Sequence, residues 1–168
     1  TAVWPPEGVK PVRLSLAEGR RLVGKTGGVG GHDRYDIDFT ATTGDKTRWS
    51  TQGGNPPDYP DRREADAKLI VYDGPAQAED MELAGYPVVT LHMASSHDDP
   101  AVFAYLEDVA PDGRVTYVTE GQLRLVSRKI ADPASLPYDQ GPAPHSFNRA
   151  DALPVRPGEV MEVKFALL

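Results

Sequence analysis

Between Tyr86 and Ser127 the sequence holds three extended runs in succession, and no other feature limits the fold so tightly. The first is Tyr86 to Ser95 (YPVVTLHMAS), the second Ala101 to Val109 (AVFAYLEDV), and the third Arg114 to Ser127 (RVTYVTEGQLRLVS). In the first, Val89, Leu91 and Met93 fall on one side and Thr90 and His92 on the other. In the second, Val102, Ala104, Leu106 and Asp108 share a side. Alternation with period two turns one side of each strand into a core. Ala110-Pro111-Asp112-Gly113 joins the second run to the third. Proline presets φ, aspartate suits the second central position and glycine accepts the left-handed exit, so a hairpin turn is expected there. Asp108, on the core-facing side just before that turn, is expected to be hydrogen-bonded and to pin the loop.

The flanking chain repeats this pattern in shorter pieces. Val12–Leu16 and Arg20–Val23 read as a small hairpin, and Asp33–Phe39, Ala67–Tyr72 and Gly158–Ala166 as further strands. In the last of these Met161, Val163 and Phe165 point one way and Glu162 and Lys164 the other. Residues 40 to 66 and the stretch from Arg128 to Arg156 read as irregular loops, and no sustained helix is expected. With 16 glycines and 16 prolines in 168 residues, many short strands joined by turns are favoured over long helices. Eight or nine strands with turn signals recurring every ~8–12 residues give an all-β fold, an antiparallel jelly-roll β-sandwich forming one domain over residues 1–168.

The net charge of −7 disfavours nonspecific binding to nucleic acid or to an anionic membrane surface. The absence of cysteine removes disulfides and thiolate chemistry. No apolar run approaches the ~20 residues of a membrane-spanning helix, and no signal-peptide pattern is present, so a soluble chain of unassigned compartment is expected. The first residue is not Met and the sequence stops within Phe165-Ala166-Leu167-Leu168, so the chain is read as a piece of something longer.

Several stretches invite chemistry. Gly19 to Thr26 matches the phosphate-loop pattern G-x-x-x-x-G-K-[ST], and Leu69–Asp73 imitates the strand ending in Asp that accompanies it. A phosphate loop must open a helix, and Gly27-Gly28-Val29-Gly30-Gly31 is a very poor helix start, so a hairpin followed by a glycine loop is the favoured reading. Asp33, Asp36, Asp38 and Asp45 suggest calcium, but Phe39, Thr40 and Ala41 break the loop spacing, and a solvated strand face explains them. The four histidines are His32, His92, His97 and His145; His92, His97, Asp98 and Asp99 could surround a metal, yet dispersed surface residues are the simpler account. No Gly-x-Ser-x-Gly elbow and no His-Glu-x-x-His pattern occurs. No catalytic, metal or cofactor-binding residue is therefore assigned. The candidate contact residues are three aromatics: Trp4 in the proline-rich start, and Trp49 and Tyr59 in the long loop.

The stretch Val102 to Leu125, with Leu106, Asp108, Val109, Pro111, Asp112, Gly113 and Arg114 followed by Thr119 to Arg124, resembles the C-terminal domain of the X-Pro dipeptidyl-peptidase and cocaine esterase family. Glutaryl acylases and α-amino-acid ester hydrolases belong to the same family. Trp4–Gly8 with Leu14–Leu16, Leu69–Tyr72 through Gly85–Val88, and His145–Phe147 with Pro157–Val160 resemble that domain in the same order. The resemblance implies a jelly-roll sandwich similar to galactose-binding domains. It implies a serine hydrolase as parent, with an α/β-hydrolase domain and helical cap upstream that carry every triad residue. This chain would then be non-catalytic, packing on the hydrolase, supporting the substrate pocket and sometimes oligomerising. The family continues past Leu168, so the sandwich is expected to lack its last strands, with a second copy or swapped strand covering Gly158–Ala166. The alternatives are an independent carbohydrate- or ligand-binding module that stacks sugars on Trp49 and Tyr59, and a nucleotide-binding protein using Gly19 to Thr26.

Overall fold

The computed structural model describes residues 4–24, 31–44, 46–54, 56 and 58–167. Sheet is the main regular structure among them and helices are few and short, in keeping with the all-β class. Among the described residues the strands are β1 (Ser15–Ala17), β2 (Arg21–Val23), β3 (Val88–Met93), β4 (Ala101–Val109), β5 (Val115–Arg124) and β6 (Met161–Ala166). They form three two-stranded sheets, β1 with β2, β3 with β6 and β4 with β5. The helical pieces are one α-helical turn, α1 (Arg63–Asp66), and four short 3-10 segments, the longest over Arg48–Gly53. The chain divides into two compact units, Thr1–Gly85 with Val109–Thr116, and Tyr86–Asp108 with Tyr117–Leu168.

The second unit carries the apolar core. β3 and β6 run antiparallel, with Val89 opposite Phe165, Leu91 opposite Val163 and Met93 opposite Met161. The alternation expected in both strands is present: Val163 is 0% exposed and Phe165 2%, whereas Glu162 and Lys164 face solvent. Leu123, Leu125, Val155 and Leu167 complete the buried cluster, with Val89, Met93, Val102, Ala104 and Leu106 packed against it. Burying side chains of this size contributes ~1.5–3 kcal/mol each. Gly121 on β5 is forced by this packing. A methyl group at that position would lie 2.5 Å from the Ala166 carbonyl oxygen and 3.1 Å from the Leu167 Cα. Two backbones approach there more closely than any side chain permits.

The β4–β5 turn forms as its sequence predicts. Gly113 N–H donates to Ala110 O at 2.8 Å, Ala110 N–H to Arg114 O at 2.9 Å, and Gly113 has a φ of +82°. This is a type I turn closed by a glycine in the left-handed region. Asp108 departs from expectation. It is exposed, because the alternation of β4 stops after Leu106 and the residues that follow belong to the turn.

The first unit differs most from the strand pattern read in the sequence. β1 and β2 pair as expected, with Leu16 opposite Leu22. Asp33–Phe39 forms no strand, and Ile37 and Phe39 are 60% and 92% exposed. Its side chains bond to a distant segment instead: the Tyr35 hydroxyl donates to Lys68 O at 2.9 Å, and Asp33 accepts from the Tyr72 hydroxyl at 2.7 Å. Ala67–Tyr72 is likewise not a strand, because the Lys68 and Leu69 amides donate to Ala65 and Asp66 and close the turn after α1. A lone parallel bridge joins Asp73 to Arg21. Val115 is the buried hydrophobic residue described for this unit, and the Arg62–Asp66 ion pair lies almost wholly out of water, with side chains 6% and 11% exposed.

The close approach at Gly121 gives a sharp expectation. Gly121→Ala should lower the unfolding free energy by about 3 kcal/mol, at the upper end of overpacking costs. Gly24→Ala, where nothing lies within 4 Å, should stay within ~0.5 kcal/mol. Urea denaturation of the two variants beside the parent sequence measures both.

Candidate functional site

Trp49 is set by the start of its 3-10 segment. The Thr47 hydroxyl accepts from the Trp49 amide at 3.3 Å, and Ser50 N–H donates to Thr47 O at 2.9 Å. Lys46 and Asp58 close the loop on both sides of that segment, through a 3.3 Å ion pair and a 3.3 Å bond from Asp58 N–H to Lys46 O. The indole is 47% exposed, and the Arg48 guanidinium lies over its ring at 4.7 Å, so a cation occupies one face. Tyr59 is half-buried. Trp4 is 56% exposed, and the neighbouring Pro5 ring rests against Gly85.

The phosphate-loop pattern falls on the β1–β2 hairpin. Arg21 to Val23 are the return strand, and the Leu22 amide donates to Asp73 O at 2.7 Å. A phosphate cradle needs such amides turned toward the ligand, and here one is bonded within the fold. Lys25 and Thr26 lie outside the described residues.

The acidic residues do not converge. Asp36 pairs with Arg34 at 2.9 Å, Asp38 accepts from the amide and hydroxyl of Thr40, and Asp33 accepts from Tyr72. Asp45 lies outside the described residues. Burial, followed by the Asp33 hydrogen bond and charge, pushes the Tyr72 phenol up to about 12. His92 faces Glu162 across the β3–β6 ladder at 3.4 Å. Ser96 Oγ meets His97 Nδ1 at 2.9 Å, and Asp99 is held by Arg124 through two bonds of 2.7 and 2.5 Å. That aspartate thus bonds to the guanidinium rather than to His97. His32 is exposed.

Two residues matter more than their sequence context suggested. His145 is buried, with Nδ1 at 3.1 Å from Lys129 O and Nε2 at 3.0 Å from Lys164 O. Carbonyl oxygens can only accept and the neutral ring carries one N–H, so it donates to one of the two while lying between the chain after β5 and the edge of β6. Asp61 holds the β4–β5 turn, the task expected of Asp108. Its carboxylate accepts from Val115 N–H at 3.1 Å, Arg63 N–H at 3.1 Å and the Arg63 guanidinium at 2.7 Å. The Val115 and Arg63 amides, more than the guanidinium, hold its carboxyl below the usual carboxylate range. Asp61 ahead of the first turn of α1 is a local capping signal. Its bond to Val115, 54 residues away, has no signature in the sequence.

The polar groups that sequence patterns put forward are thus largely bonded within the fold. The profile of the family described as the X-Pro dipeptidyl-peptidase C-terminal non-catalytic domain matches residues 1–168, and the chain belongs to that family. It is 44% identical over 141 residues to the Mycobacterium bovis protein named "Putative serine esterase Mb1866c". The Mycobacterium tuberculosis protein named "Putative serine esterase MT1883" gives the same identity over the same length. The match takes in 82% of this chain but 22% of each relative, so the chain spans about a fifth of the proteins it resembles. No solved structure matches the chain with significance. No helix among the described residues is long and apolar enough to cross a membrane.

Removing the His145 ring takes its N–H donor from between the Lys129 and Lys164 carbonyls. His145→Ala should therefore cost about 1–3 kcal/mol for the carbonyl left without its donor, read as a shift in the denaturation midpoint. For Asp61 the sign follows from a folded-state pKa held below the unfolded value of 3.8. Its stabilisation is complete above that value and is lost as pH falls through the folded pKa. Asp61→Asn should be the less stable form at pH 7, and its deficit should shrink as the pH is lowered below 4. A deficit independent of pH in paired denaturation curves would contradict the carboxylate's role.

Proposed function

We propose that this chain is the non-catalytic C-terminal domain of a serine hydrolase of the X-Pro dipeptidyl-peptidase, esterase or acylase type. On this reading residues 1–168 form one jelly-roll sandwich of the galactose-binding kind. The domain packs on an upstream α/β-hydrolase and cap domain of the same polypeptide, and supports the substrate pocket or oligomerisation. The observation that carries the reading is the family match over residues 1–168 together with relatives, named as serine esterases, of which the match takes in only 22%. The bonding of Asp99 to Arg124 rather than to a histidine is in keeping with it.

A module that stacks sugars gains less support. Trp49 is exposed, but Arg48 lies over its ring and Tyr59 is half-buried, so these two do not offer a pair of open aromatic faces. The deciding experiment compares the longer polypeptide with this chain alone, using chromogenic esters, X-Pro-dipeptide substrates and a serine-directed fluorophosphonate. The longer protein should turn substrate over and take up the probe, while this chain stays inert and unlabelled. Uptake of the probe by this chain would place a nucleophile among residues interpreted as structural.

A further inference from the structure

We infer that the loop from Tyr138 to Phe147, together with Tyr86, is the surface through which this domain seats on the hydrolase portion of its own polypeptide. The identity of the partner rests on the reading proposed above; the surface itself rests on geometry within the second unit.

Three aromatic side chains stand out of this loop and its neighbour: Tyr138 is 67% exposed, Phe147 64% and Tyr86 43%. They belong to one connected piece. The Tyr86 ring lies against Gly141, where an added Cβ would come within 3.5 Å, and the Phe147 ring meets the His145 ring at 5.9 Å. The loop has no regular structure, yet it is bonded at almost every step. Asp139 accepts from Gly141 N–H at 2.8 Å, Gln140 Oε1 from His145 N–H at 3.1 Å, and Pro144 O from Ala131 N–H at 2.9 Å. His145 is buried between two carbonyls, and Ser146 Oγ donates to Asp151 at 2.7 Å.

Phe147 sits at the end of this network with a φ of +54°. A bulky residue in the left-handed region is strained, and such strain persists only where the surroundings over-determine it. Here the surroundings hold the backbone in an unfavourable state and the ring is nevertheless left largely in water. A rigid aromatic held in advance at a fixed angle loses little entropy on docking, and aromatic residues dominate the energetics of interfaces. Exposed aromatic groups carried on one bonded loop commonly mark an interaction site.

The occupant follows from length. The region matched in the relatives is 22% of each, so most of such a polypeptide lies outside this chain and is tethered to it. A tethered partner is present at high effective concentration and needs only a modest, preorganised patch. Its complementary face is an apolar pocket that admits a phenyl ring.

The test uses the intact longer polypeptide with the photo-crosslinker p-benzoylphenylalanine placed by Phe147→p-benzoylphenylalanine and, in a second variant, Tyr138→p-benzoylphenylalanine. A control variant carries it at Val160, which is 66% exposed and outside this loop. Mass spectrometry of irradiated monomer should place the 147 and 138 cross-links on residues upstream of this chain in the same molecule, in at least tenfold excess over the control. Cross-links confined to this chain, or found only between isotopically distinct copies, would overturn the inference, the latter assigning the surface to a second copy. Fluorophosphonate labelling of the same samples separates the two readings. Labelled protein without upstream cross-links refutes the surface alone. Upstream cross-links in unlabelled protein support the surface and refute the serine hydrolase.

Discussion

The pairing of β3 with β6 is the constraint on which the second unit depends. It joins Val88–Met93 to Met161–Ala166, segments separated by most of the unit's sequence, in an antiparallel register of six residues. A one-residue slip would turn Val163 and Phe165 out to solvent and bring Glu162 and Lys164 in. The buried cluster of Leu123, Leu125, Val155 and Leu167 fixes the register against that slip. Closing so long a loop costs entropy that local contacts do not offset, so this ladder and its core must form together. Once formed, it sets the position of the Lys164 carbonyl, and with it the seat of His145 and the course of the loop that His145 anchors.

The first unit is organised by different forces. Its described apolar side chains at Val12, Leu14, Leu16, Ile37 and Phe39 are exposed, and polar contacts hold its segments in place. Asp61 grips the Val115 amide, the Arg62 amide donates to Val115 O at 3.1 Å, and Arg62 and Asp66 share a buried ion pair. Contacts of this kind are directional and specify one arrangement, but they add less net stability than a packed core. Local opening is expected to be easier in this unit than around Leu125 and Val163, where side chains are wholly enclosed.

The same contrast bears on function. Groups that resemble reactive ones, such as Ser96 with His97 or Asp99 beside them, are exposed and engaged with near neighbours rather than gathered in a cleft. The phosphate-loop pattern at Gly19 to Thr26 shows why a short motif needs its context: its middle is a strand of a hairpin whose amide serves Asp73. Membership in a non-catalytic domain family is in accord with a chain whose polar chemistry maintains its own shape.

Period-two alternation was legible wherever a strand found a partner. The buried faces of β3 and β6, the inward side of β4 at Val102, Ala104 and Leu106, and the Pro111-Asp112-Gly113 turn all follow from residue type, because strand geometry and turn dihedrals act over a few residues. The same alternation at Asp33–Phe39 misled, since a strand needs an edge to pair with and the sequence does not say whether one is supplied. Asp108 and Asp61 make the same point. Both are aspartates near signals for a turn or a helix, yet Asp61 holds the hairpin because folding brings Val115 to it across 54 residues. The exposed aromatics were legible as types, and Trp49 is half exposed in its loop. Which aromatics follow a firmly bonded stretch was decided by the tertiary structure, because His145 and Ser146, just before Phe147, bond to Lys129, Lys164 and Asp151. Local pattern specifies what a segment can form; the partners that complete it are chosen only when distant segments meet and exclude water together.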